Sequence, residues 1–195
     1  MRFNRLVLAP LVLALTATLS GCGYNQIQTL DEGANKAKQQ IGVQLQRRAD
    51  LIPNLVEVVK GFAKQESEVF TNVAEARAKL GGAITSGDLG QMAGASQAMN
   101  GALGRLLAIS EAYPQLKSNE NFLRLQDELS GTENRIGVAR TDYNTAVNDY
   151  NTTIRKFPEV MTAKVMGMKP RDYFDADKAA ATVPKIDMTT PAKKP

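Results

Sequence analysis

From Gln40 to Leu80 the apolar side chains fall on a seven-residue frame. One row runs Leu45, Ile52, Val59, Glu66, Val73, Leu80, and the other Ile41, Arg48, Leu55, Phe62, Val69, Ala76. Ala49, Val56, Ala63 and Phe70 widen the stripe to the breadth of a core-facing helix. Upstream, Tyr24, Ile27, Leu30, Ala34 and Ala37 continue at threes and fours, so helix is predicted from near Asn25. Pro53 interrupts the run, and a proline inside a helix removes a hydrogen bond and crowds the carbonyl four residues back. One long kinked helix is expected. The alternative is a new helix starting with Asp50 or Leu51 near its N-cap.

Gly81-Gly82 and then Ser86-Gly87-Asp88 break the pattern and predict a loop. A second helix follows from about Asp88 to Ala112, with Leu89, Met92, Met99, Leu103, Leu106 and Tyr113 on one face, and Tyr113-Pro114 ends it. The third helix is capped by Ser118 or Asn119. One of its rows is Phe122, Leu129, Ile136, Tyr143, Tyr150, Phe157, and the other Leu125, Thr132, Ala139, Ala146, Thr153. It should run about 38 residues, roughly 57 Å at the helical rise, to Phe157-Pro158. Pro158 can open a short fourth helix that Gly167 closes. Tyr173-Phe174 is expected to dock on the bundle. No segment alternates with the two-residue period of a strand. The predicted fold is all-α: an antiparallel up-and-down bundle of three long helices plus a short fourth, over residues 22–178. Residues 179–195, with three prolines and few large apolar groups, read as a disordered tail.

Residues 1–21 precede the chain's one cysteine and read as a signal peptide. Arg2 and Arg5 form a positive start, and Leu6–Thr18 an apolar run of roughly 13 residues, too short to span a bilayer. Leu19-Ser20-Gly21-Cys22 resembles a bacterial lipobox, in which a thiol accepts a diacylglyceryl group and small residues admit the peptidase. Cleavage before Cys22 would leave an acylated cysteine as the mature N-terminus. The plainer alternative is a secretory signal with an incidental cysteine. Gly23 follows, where an Asp would mark retention in the inner membrane, so the outer membrane is slightly favoured.

Charge and composition then narrow the function. The net charge is +4. Arg2 and Arg5 of the leader and Lys185, Lys193 and Lys194 of the tail, set against Asp187, account for it, because residues 22–178 hold equal numbers of basic and acidic side chains. The electrostatic footprint of a nucleic-acid binder is missing. Histidine is absent, which removes imidazole as base, shuttle or metal ligand, and a single cysteine makes neither an intramolecular disulfide nor a cysteine zinc site. No metal or other cofactor is expected.

Several strings resemble the LemA family: Val43-Gln44-Leu45-Gln46-Arg47-Arg48-Ala49-Asp50-Leu51-Ile52-Pro53-Asn54-Leu55-Val56, Tyr113-Pro114-Gln115-Leu116-Lys117, Asn119-Glu120-Asn121-Phe122, Thr132-Glu133-Asn134-Arg135-Ile136, Ala139-Arg140, Tyr143-Asn144, Tyr150-Asn151 and Phe157-Pro158. The similarity spans roughly residues 24–175. It implies a bacterial, membrane-associated helical bundle facing outside the cytoplasm, with no assigned biochemical activity. Two departures matter. Many members use an N-terminal transmembrane helix where this chain presents a lipobox, and the position after Arg48, often His in the family, is Ala49.

Arg48 and Glu66 occupy seam positions in an otherwise apolar stripe, and a buried charge is costly unless paired. The third helix offers Glu133, Arg140 and Asp149 beside its own seam. A polar pocket that binds something is one reading, and an ion-pair network that sets the bundle's register is the blander one. Glu66 lies five helical turns from Arg48 on a straight helix, too far to touch, so Glu133 is the better partner. Adjacent carboxylates such as Asp127-Glu128 point about 100° apart on a helix and read as a solvated face. Tyr143-Asn144 and Tyr150-Asn151 repeat at one heptad. The tyrosines are expected to pack in the core with their hydroxyls at the rim, and the asparagines could bond across helices or to a partner. The expected function is non-enzymatic: an envelope scaffold or interaction module, anchored in the membrane by lipid on Cys22, facing the periplasm, with an envelope protein as partner. The alternative is a small-ligand or cell-wall-fragment binder using the seam around Arg48.

Overall fold

Helix α1 runs from Asn4 to Phe62. The computed structural model describes residues 4–174, with side chains from Gly23 onward. The leader's side chains, Cys22 included, and the tail 179–195 lie outside the described residues. Five helices follow α1: α2 (Ser67–Ser86), α3 (Leu89–Ala112), α4 (Pro114–Lys117), α5 (Glu120–Thr153) and α6 (Glu159–Val165). Every element among the described residues is helical.

The α1 stripe buries Ile27, Ala34, Ile41, Leu45, Ala49, Ile52, Leu55 and Val59. The helix passes through Pro53 without a break. Pro53 is exposed, so its ring faces solvent. The carbonyl that lost its donor is that of Ala49, four residues back, and Arg77 of α2 donates its Nε–H to this oxygen at 3.0 Å.

The chain turns instead at Ala63–Glu66, and this corrects the sequence-based picture. The predicted first helix is two. A single rod through Leu80 would leave Phe70, Val73 and Leu80 without a core. Doubling back buries all three. Arg77 therefore meets Ala49, and Ile84 lies 3.8 Å from the position of a Cβ on Gly42, so α2 runs opposite to α1. Four long helices result, not three. Glu66 is moved out of the seam to the N-cap position of α2, half-buried, and makes no capping hydrogen bond with its side chain. Phe62, predicted inside, is exposed at the turn, and Ala63 is buried in its place.

The loop predicted at Gly81-Gly82 is also helix. The stop comes at Gly87, whose φ of +67° suits glycine and closes α2 with bonds from its N–H to the carbonyls of Ala83 and Ile84. Asp88 caps α3 by accepting from the Gln91 N–H at 2.7 Å, and Asn119 caps α5 by accepting from Phe122 N–H at 3.1 Å.

Helix α5 packs along α1 in the opposed direction: Arg48 meets Glu133, while Ile27 near the other end clusters with Tyr150 and Ile154. Its seam residues Phe122, Leu129, Ile136, Tyr143 and Tyr150 are buried, and Asp142 and Asn148 are exposed. The helix ends at Thr153, four residues earlier than predicted from Phe157, and Phe157 is turned out into solvent. Gly167, at φ +66°, redirects the chain after α6 into an extended stretch that ends on buried Phe174, while Tyr173 stays exposed.

Candidate functional site

Arg48 projects from α1 into the α1–α5 seam and is only 7% exposed. Its Nη1 donates to Oε2 of Glu133 on α5. The Glu133 side chain is 42% exposed, so the pair has one buried end and one wet end. Arg140, two turns further along α5, donates from Nη2 to the hydroxyl of buried Ser96 on α3 at 3.0 Å and lies over the Phe174 ring at 4.8 Å. Burial pushes the Arg48 guanidinium below its ordinary value, Glu133 pulls it back up, and the nearby Arg140 charge adds to the lowering. Guanidinium stays protonated through all of this, because its intrinsic basicity is far above any physiological pH. The Nε atoms of both arginines and Oε1 of Gln44 are buried without a hydrogen-bond partner among the described residues.

The structure thus brings Arg48, Glu133 and Arg140 together and leaves Glu66 at the distant α1–α2 turn. Asp149 is exposed on α5 and makes no ion pair with Arg48 among the described residues. A groove of about 500 Å³ lies elsewhere on the molecule, lined by Asn35, Lys38, Gln39, Gly42, Val43 and Ile84 among others, and Arg48 is not one of its lining residues. Among the described residues no group of three or more Asp, Glu or Cys side chains is arranged to hold a metal ion.

A second polar array was only half visible in the sequence. The amide of Asn144 accepts from the Phe174 N–H at 2.8 Å and donates to the Phe174 carbonyl at 3.1 Å. Asn151 does the same for Arg171, at 2.8 and 2.9 Å. The Tyr143 hydroxyl donates to the Asp172 carbonyl at 2.8 Å and that of Tyr150 to the Lys169 carbonyl at 3.2 Å. In both sets, one heptad on α5 matches three residues of the extended segment. The lengths agree, since seven helical residues rise about 10.5 Å and three extended residues cover roughly 10 Å. The Tyr-Asn repeat is therefore a ruler that holds residues 169–174 through their backbone. Arg171 completes the clasp: its Nε donates to Asp31 of α1 at 2.7 Å, its guanidinium lies 5.7 Å from the Tyr150 ring centre, and the bond to Asp31 raises its pKa. Burial raises the pKa of both tyrosines, with Asp31 adding to the effect at Tyr150. Sequence reasoning missed Arg171 and Asp31. The heptad-spaced Tyr-Asn pairs and the Pro170 that keeps the segment extended are the signals that point to them.

What these arrays can do chemically is hold helices and a terminal segment in register. Three proteins are similar to this chain over most of its length. Magnetosome protein MamQ 2 and magnetosome protein MamQ 1 of Paramagnetospirillum magneticum are each 32% identical over 198 residues, covering 90% of this chain and 72% of theirs. Magnetosome protein MamQ of Magnetospirillum gryphiswaldense is 32% identical over 207 residues, covering 93% and 76%. The LemA family model matches residues 37–188, a span that holds the arginine seam, the Tyr-Asn ruler and the segment it grips, and the chain belongs to the LemA family.

Proposed function

We propose that this protein is a non-enzymatic scaffold or protein-interaction module of the bacterial envelope, held on the membrane by lipid at Cys22 and facing the periplasm. The observation that carries this reading is the internal use of its polar groups. Arg48 is engaged by Glu133, Arg140 by Ser96 and Phe174, and the Tyr-Asn pairs by the chain's own backbone. Interior chemistry spent on the fold leaves the outer faces of the helices for contact with partners. Membership of the LemA family, with relatives named as magnetosome proteins, supports an envelope role. Among the described residues no helix is long and apolar enough to cross a membrane. The lipobox-like Leu19-Ser20-Gly21-Cys22 supplies the anchor, and Gly23 after it favours the outer membrane.

The test has two arms. Cys22→Ala should shift the protein from the membrane fraction to soluble or unprocessed forms; unmodified Cys22 within a full-length mature chain, seen by mass spectrometry, would overturn the anchor. Crosslinking in cells should capture envelope proteins on the native chain. The second reading, a binder of small ligands or cell-wall fragments at the seam, is favoured by the unpartnered Nε atoms of Arg48 and Arg140. It requires that Arg48→Met abolish such binding while the melting temperature holds.

A further inference from the structure

The short helix α6 carries a face with no cover. Phe157 just before it is 83% exposed and Val165 is 85% exposed, with Met161 at 60% and Met166 at 54%. Met161 and Val165 are four apart within α6, so they share one face, and Phe157 is exposed in the turn that leads into the helix. The opposite side holds Ala163, which is buried with Ile27, Tyr150 and Ile154. Monomeric proteins rarely expose large apolar groups in contiguous patches, and those they do expose mark contact sites.

Two further observations say what covers this one. The first is place. A Cβ built on Gly23 would lie 3.6 Å from Glu159 Cγ and 3.7 Å from Thr162 Oγ1, so α6 rests against α1 one residue beyond Cys22. The second is charge. Between positions 155 and 169 the exposed Arg155, Lys156, Lys164 and Lys169 stand against Glu159 alone. An apolar face rimmed by cations, beside the point where the chain meets lipid, has the chemistry of a helix lying in the interface of an anionic membrane.

We propose that α6 is a membrane-contact element. Phe157, Met161, Val165 and Met166 enter the headgroup–acyl boundary of the bilayer that holds the N-terminus, and the four cations meet anionic headgroups. The contact rests on the anchored reading above and adds orientation to it. A tether at Cys22 alone leaves the bundle free to tilt, and a second contact fixes α1 and α5 rising from the surface with the α1–α2 turn farthest from it.

The chain contains no tryptophan, so a single introduced one reports without background. The mature lipidated Met161→Trp protein is placed in vesicles of phosphatidylethanolamine and phosphatidylglycerol, with or without bromine on the acyl chains. Val138→Trp, at an exposed position of α5, is the comparison. The Met161→Trp emission should shift to the blue on vesicles and be quenched by the brominated lipid, more weakly as phosphatidylglycerol is withdrawn, while Val138→Trp does neither. Phe157→Trp repeats the measurement should Met161→Trp fail to fold. Protein that floats with vesicles yet leaves the reporter in water overturns the α6 contact and spares the anchor. A blue shift that grows with protein concentration without lipid also overturns it, assigning the face to a second copy. Protein that does not float at all overturns both.

Discussion

The Arg48–Glu133 pair is lopsided, and this decides what its removal does. Deleting the carboxylate leaves a charge buried in the seam, whereas deleting the guanidinium leaves a carboxylate that is 42% exposed and can rehydrate. Glu133→Ala should therefore destabilise the fold by about 3 kcal/mol, while Arg48→Met, which keeps the stem and removes the charge, should cost less than about 1 kcal/mol. Adding Arg48→Met to Glu133→Ala should recover most of the loss, a non-additivity that chemical denaturation of the four proteins would read. Equal costs for the two single variants would contradict this account. The tyrosines give a second residue-scale expectation. Their folded-state pKa values are raised, so the folded chain holds protons that the unfolded chain releases. Stability from this source is complete below the unfolded tyrosine value of about 10 and declines as pH climbs past it. A plot of unfolding free energy against pH should bend down there for the native chain and less so for Tyr143→Phe.

At the scale of elements, Gly82 within α2 and Gly87 just past its end separate helix propensity from backbone conformation. Gly82 is exposed within the helix with open space around its would-be Cβ, so Gly82→Ala should stabilise by roughly 0.5–1 kcal/mol. Gly87, at positive φ, should tolerate no such change, and Gly87→Ala should lower the melting temperature. Helix ends were legible in the sequence where a local contact sets them and not where long-range packing does. The cap of α5 was legible, as Ser118 or Asn119, because a cap is a local contract between a side chain and an amide three residues on. The turn at Ala63–Glu66 was not, because the seven-residue frame continues across it; only the long-range gain of burying Phe70, Val73 and Leu80 against α1 decides that the chain folds back there. Pro53 lies inside the helix that was expected to continue through it, and its unmet carbonyl at Ala49 is satisfied by Arg77, which sequence spacing alone does not bring near.

Across the whole molecule, polar groups at the seam and along the ruler tie α1, α3, α5 and the terminal segment into one body. Glu133 emerged from the sequence as Arg48's partner because opposed helices set the register between them. The target of the Tyr-Asn repeat did not, since an extended segment some 20–30 residues downstream has no periodicity to announce it. The proposed function requires that partners meet the outer surface and not the charged seam around Arg48. In-cell crosslinking of the Arg48→Met protein tests it most directly, with a thermal melt of the same protein beside it. The expected result is a native melt and the native set of crosslinked envelope partners; a native melt with those partners lost would contradict the claim and make Arg48 part of a binding site.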